Sequence, residues 1–202
     1  MRPFYDHFIP AIPFCAFGIS VHRLPVMLFA DDDVKIFPES GQVPPRKDPA
    51  AEDAELFVRQ RQNGNIDRAK RLGARYARHL RRLWRPGDTA PVLAQKKILY
   101  SYAVAKTIEE RSPNSFLEQA ALSAYHQNVQ NRSKADYDTI VDSVAFTLYL
   151  LAERNRNDKS FGEVYAELCG HKHHEEYMGR GILLYHQYTA DCASVFNRAG
   201  YR

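Results

Sequence analysis

Cys169, His171, His173 and His174 fall within six residues and are followed directly by Glu175 and Glu176. Thiolate and neutral imidazole are good ligands for zinc, copper or nickel, so residue type alone nominates a metal site. Spacing argues less for it. The adjacent His173 and His174 point in different directions on a helix, and no second Cys/His pair stands at finger distance. The competing reading is a solvated, histidine-rich entry to the last helix.

A second group is basic. Between Ile66 and Arg85, eight cations (Arg68, Lys70, Arg71, Arg75, Arg78, Arg81, Arg82, Arg85) stand against the single acid Asp67. The segment carries +7, so the remainder of a chain whose total is +4 sums to −3. Wound at about 100° per residue, Ala69, Leu72, Tyr76, Leu80, Leu83 and Trp84 share one side of a helix and the cations take the other. Arginine's planar fork suits phosphate or carboxylate, which makes Arg68, Arg71, Arg75, Arg78, Arg82 and Arg85 candidate contacts for a polyanion or an acidic partner.

Four matches for such a face can be weighed. Acids elsewhere in the fold, such as Glu109, Glu110, Asp136, Asp138 and Asp142, would leave it an ordinary solvated surface. Nucleic acid fits a helix about 30 Å long, which can follow several phosphates. Yet no zinc-finger spacing, RNP signature or GxxG clamp is present to read bases, and Tyr76 and Trp84 are expected to face inward, away from stacking. An anionic membrane surface could be held only electrostatically if the apolar side is committed to a core. An acidic protein surface, including a second copy of this chain, needs only the charged side.

Catalytic signatures are missing. There is no Walker loop, G-x-G-x-x-G after a strand, G-x-S-x-G elbow, C-x-x-C pair or HExxH, and no histidine follows a glutamate at the spacing of carboxylate di-iron bundles. His126 and His186 stand among apolar neighbours and read as packing or hydrogen-bonded residues. The Gly179-Arg180-Gly181 spacing is best explained by close helix packing. The many tyrosines could line a pocket, a core edge or a subunit interface equally well.

The elements that must position these residues are helices. Seven of the eleven prolines precede position 48, and the residues between them lack a helical period. Residues 1–48 therefore read as an irregular, proline-rich arm and linker, with room for a short hairpin over 26–37 across Asp31-Asp32-Asp33. From Pro49 to the C-terminus the punctuation repeats: cap, acidic first turn, apolar stripe, basic or glycine-marked end. Expected helix starts are Asp48-Pro49, Asn65, Thr89, Ser115 with Glu118, Ser133, and Ser160 with Glu163. The clearest single helix spans Ser133 to Arg154, where Tyr137, Ile140, Val141, Val144, Leu148 and Leu151 suggest the centre of the core. The last buries Tyr177, Gly181, Leu184, Tyr188, Cys192 and Val195.

The expected fold class is all-α, a single bundle of six to seven helices over residues 49–202. At 202 residues, with 45% hydrophobic and 26% charged content, the chain is long enough to bury a core. Three dispersed cysteines (Cys15, Cys169, Cys192) do not form a secreted disulfide framework. They favour a reducing, cytoplasmic setting; the uncharged stretch Phe8 to Val21 is broken by Pro10 and Pro13 and too short to span a bilayer, and Asp6 with the prolines spoils a signal-peptide reading. The leading functional expectation is a non-catalytic helical binding protein using the Arg-rich face; no cofactor is strongly implied. The alternative is an enzyme with an inter-helix pocket, metal-dependent through Cys169, His171, His173 and His174.

Overall fold

The computed structural model describes residues 48–155 and 157–201; the arm and hairpin expected over 1–48 lie outside the described residues, apart from Asp48 itself. Among the described residues every regular element is helical: α1 (Pro49–Gln62), α2 (Asn65–Leu80), α3 (Ala90–Arg111), α4 (Ser115–Arg132), α5 (Lys134–Val141), α6 (Ala145–Arg154), α7 (Asp158–Leu168) and α8 (Glu175–Asn197). A 3-10 turn, Arg81–Leu83, tightens the end of α2. No described helix is long and apolar enough to cross a membrane.

Asp48 caps α1 by accepting from the Ala50 N–H at 3.1 Å, and Ser133 caps α5 by accepting from the Asp136 N–H at 3.2 Å. Two expected starts move to a neighbouring asparagine. Asn114 accepts from the Leu117 N–H at 3.1 Å in place of the Ser115 box, and Asn157 accepts from the Lys159 N–H at 2.9 Å in place of Ser160. The amide oxygen reaches an unpaired first-turn donor while its own backbone stays extended. Asn65 is likewise not a cap: left-handed Gly64 (φ 68°) precedes it, and Asn65 is the buried first residue of α2.

The centre of the bundle is α3, which touches α2, α4, α5, α6, α7 and α8. Val92, Ile98, Leu99, Tyr100, Tyr102, Ala103, Val104 and Ile108 are buried around its whole circumference. A helix wrapped on all sides shows no one-sided stripe, and so its sequence does not announce its position.

The segment expected to be one central helix from Ser133 to Arg154 is two, which raises the helix total to eight among the described residues. The break falls at Asp142-Ser143-Val144, where Ser143 Oγ accepts from the Ala145 N–H at 3.1 Å and so competes with the helical ladder. Restarting the helix rotates α6. Ala145, Tyr149 and Ala152 face inward, while Val141, Val144, Leu148 and Leu151 are exposed, Val144 to 73%. The two alanines permit close approach, and Tyr149 gains a hydrogen bond from its hydroxyl to Gln95 Oε1 (3.2 Å) and a stack on Phe161 (5.8 Å between centroids).

Tyrosines build much of the core. Tyr76 donates to the Cys192 carbonyl at 2.8 Å, Tyr125 shares a 2.6 Å hydrogen bond with Ser101, and Tyr102 and Tyr185 donate to the two oxygens of Glu153 at 2.7 and 2.8 Å. Burial pushes the phenols of Tyr76, Tyr100, Tyr102, Tyr125, Tyr149, Tyr165, Tyr185 and Tyr188 well above their ordinary value.

Gly73, Gly162 and Gly181 mark close helix contacts. A methyl group on Gly181 would meet the Tyr165 side chain, in keeping with the packing role read from Gly179-Arg180-Gly181, whereas Gly179 faces open space. On Gly73 of α2 a methyl group would overlap the Ala121 carbonyl oxygen of α4 and come within 2.7 Å of the Tyr125 nitrogen. Gly73→Ala gains about 1 kcal/mol of helix propensity but must force two backbones apart. The net loss should be about 1–3 kcal/mol in urea unfolding. Val144→Ser, at an exposed site, should stay within about 0.5 kcal/mol. The reverse ranking would contradict the α2/α4 and α6 packing described.

Candidate anion-binding cleft

α2 buries Ala69, Leu72, Gly73, Tyr76, Ala77 and Leu80, mainly against α4, and every arginine is thereby turned outward. Arg71, Arg75 and Arg78 are exposed and Arg68 is half-buried. Together with Arg198, just beyond the end of α8, they line a cleft of about 300 Å³ floored by Leu72, Val195 and Ala199. Among the described residues no carboxylate lines it. Arg68 donates to Asn65 Oδ1 at 3.1 Å and Arg198 to Ser194 Oγ at 2.9 Å. These neutral acceptors orient two guanidinium groups without cancelling their charge. None of the five arginines forms an ion pair among the described residues.

Two of the acids expected to neutralise this face are engaged elsewhere. Asp136 pairs with Lys97 at 2.6 Å, and Glu110 pairs with Lys106 at 3.3 Å. Each neighbouring pair of like charges on a helix costs about 0.2–0.5 kcal/mol, so the run Arg68, Arg71, Arg75, Arg78 carries a penalty of about 1 kcal/mol. That is a small cost against the core α2 buries, and an anion in the cleft would relieve it.

A second cavity, of about 160 Å³, continues along the α2/α8 seam between His79, Arg82, Arg85 and Lys96 on one side and Gln187, Tyr188 and Asp191 on the other. Burial, followed by the charges of Arg82 and Arg75, holds the His79 imidazole below its ordinary value; Asp191 opposes them. Beneath this cavity lies a buried ionic cluster. Lys96 Nζ donates to both oxygens of Asp88 at 2.7 and 2.6 Å, Arg180 Nη2 donates to Oδ1 at 2.7 Å, and the Arg85 N–H donates to Oδ2 at 3.0 Å. The Lys96 and Asp88 side chains are each 2% exposed. Burial alone would raise the Asp88 carboxyl, but these donors and the Lys96 charge outweigh it and hold the group below the usual carboxylate range.

Trp84 departs from the expected winding. The α-helical ladder ends at Leu80, the next turn is 3-10, and Trp84 is extended (ψ 136°) and 59% exposed. Pro86 supplies the reason: it disfavours helical backbone at Arg85 and removes a donor from the ladder. The inward direction expected for Trp84 is therefore incorrect, while that of Tyr76 holds, with the ring completely buried.

The four residues of the suggested metal site take separate positions. Cys169 caps the end of α7, buried, and burial pushes its thiol up to about 11. His171 stacks on Tyr177 at 3.8 Å, His174 stands at the N-cap of α8 edge-on to the same ring, and exposed His173 adopts a left-handed backbone (φ 62°). Among the described residues no group of three or more His, Cys, Asp or Glu side chains is gathered to hold a metal ion. His126 packs between Tyr125 and Tyr137, and His186 lies 2.9 Å from Asp158.

Arg198, Asp88, Lys96 and Arg180 were not legible as site residues. Arg198 reaches the cleft only through the packing of Val195, and the Asp88 cluster joins a turn to two helices; no local spacing encodes either. Asp88→Asn leaves the Lys96 ammonium buried without its counter-charge and should cost about 3–5 kcal/mol near neutral pH. Because the folded-state carboxyl is depressed, its contribution is present above the ordinary value of 3.8 and is lost as pH falls through the lower folded value. The stability gap between wild type and variant in urea unfolding should therefore narrow in acid; a gap independent of pH would argue against the cluster. Comparison of the chain with protein-family models, characterised proteins and solved structures finds no match.

Proposed function

We propose that this chain is a binding protein whose partner is anionic and is held in the cleft of Arg68, Arg71, Arg75, Arg78 and Arg198. One observation carries the reading: guanidinium groups from α2 and from the end of α8 line a single depression into which no carboxylate reaches among the described residues. Arginine forks form paired hydrogen bonds with phosphate or carboxylate oxygens, and the neutral anchors Asn65 and Ser194 restrict two of the side chains before a ligand arrives. Arg82 and Arg85 extend the same charge along the seam.

Labelled inorganic polyphosphate tests the reading. The full chain should bind it with an affinity that falls with salt. An Arg71/Arg75/Arg78/Arg198→Gln variant of unchanged helical content should bind at least about tenfold more weakly, with the salt slope reduced by roughly one per arginine removed. Equal binding by the two proteins would overturn the proposal. A pH series gives a second readout. His79 faces Arg75, Arg78 and Arg82 on its own segment, Asp191 on α8, and Lys96 and Arg85 across the cavity. A bound anion raises its depressed value, so the complex takes up a proton; binding should tighten as pH falls and level off below the value of the free protein.

A further inference from the structure

We infer that the anion is a single-stranded nucleic acid, with successive phosphates along the α2/α8 seam and a base stacked on Trp84. This rests on the anion-binding reading above and names its ligand. The two cavities follow one another along the seam. Cleft-lining residues advance along α2 from Arg68 to Arg78 opposite Arg198 and Val195, and then from His79 to Arg85 opposite Asp191, Tyr188 and Leu184. The helices therefore run antiparallel, and the path is about 18 Å from Arg68 to Leu80 at 1.5 Å per residue, with the 3-10 turn to Leu83 adding about 6 Å at 2.0 Å per residue. It is long enough for a polymer and is more than a single phosphate requires.

The end of the path carries the aromatic group that a purely electrostatic surface does not need. Trp84 is 59% exposed, the adjoining Leu83 and Arg85 line the second cavity, and the Arg85 N–H is pinned to buried Asp88. Trp84 does not itself line the cavity, but an exposed indole in the segment that ends a groove of cations supplies the combination by which single strands are held without base reading: charge follows the backbone, and the ring takes a base face. Duplex fits less well. Entry into a major groove requires a protruding helix, whereas α2 is flanked by α4 on one side and α8 on the other. An acidic peptide would satisfy the arginines and leave the position of Trp84 without a role.

Trp84 is the chain's one tryptophan, so its fluorescence reports on the proposed contact directly. The full chain is titrated with an oligouridylate, an oligothymidylate, a duplex of equal length, polyglutamate and inorganic polyphosphate. Single strands should quench the emission and bind more tightly than duplex. Measured with labelled ligands, since the variants have no tryptophan, Trp84→Ala should weaken single-strand binding about 5- to 150-fold, leave polyphosphate binding unchanged, and be largely rescued by Trp84→Phe. Binding of polyphosphate or polyglutamate, with single strands neither quenching Trp84 nor losing affinity in Trp84→Ala, would overturn this inference and leave the anion-binding proposal standing. Equal quenching and affinity for duplex would overturn the single-strand assignment, and tighter, quenching binding of polyglutamate would replace it with an acidic protein. Failure of every polyanion to bind at low salt would remove both.

Discussion

The approach of α2 to α4 at Gly73 determines where the cations of α2 can go. With no side chain at that position, the two backbones come close enough to enclose Ala69, Leu72, Tyr76, Ala77 and Leu80. Burying an unpaired guanidinium would cost several kcal/mol, far more than the roughly 1 kcal/mol of repulsion that arises when the arginines are left together outside. Desolvation outweighs repulsion, and the charged face forms as the reverse side of a packing contact. Tyr76 extends the same contact to α8 by donating to the Cys192 carbonyl, which brings the end of α8, and with it Arg198, alongside the α2 arginines.

The Asp88 cluster fixes the other end of the seam. A carboxylate this deeply buried is tolerable only because four hydrogen bonds reach it from Lys96, Arg180 and the Arg85 backbone. Those donors come from α3, from α8 and from the turn after α2, so one anion holds three segments in register. The turn cannot swing without breaking a buried ion pair, which gives the Leu83-Trp84-Arg85 stretch a defined place although Trp84 makes little contact with the core.

What could be read from the chain depended on whether a helix has one apolar side. α2 and α8 do, and their inward residues were legible, from Leu72, Tyr76 and Leu80 to Leu184, Tyr188 and Cys192. α3 is apolar around its circumference, and its central position left no periodic trace. Over 133–154 the larger aliphatics outweighed Ala145 and Ala152 as a signal, although close approach to neighbouring helices favours the smaller residues and the hydrogen bond of Tyr149. A uniform helical angle turns Trp84 inward, whereas α-helical geometry ends at Leu80 ahead of Pro86 and the side chain is exposed. The cleft was half legible: its α2 arginines follow from local pattern, but Arg198 depends on a tertiary contact more than a hundred residues away in sequence.

The tyrosine core has one further consequence, for the alkaline limit of the fold. An extended chain ionises its phenols near pH 10, whereas the buried phenols here hold their protons well beyond that. Above pH 10 the unfolded chain binds fewer protons than the native one, so each such ring draws the equilibrium toward unfolding as pH rises, and their effects add. A core held together by hydroxyl groups at neutral pH thus contains a set of latent acids. Once base opens it, their release together would make the loss of structure abrupt.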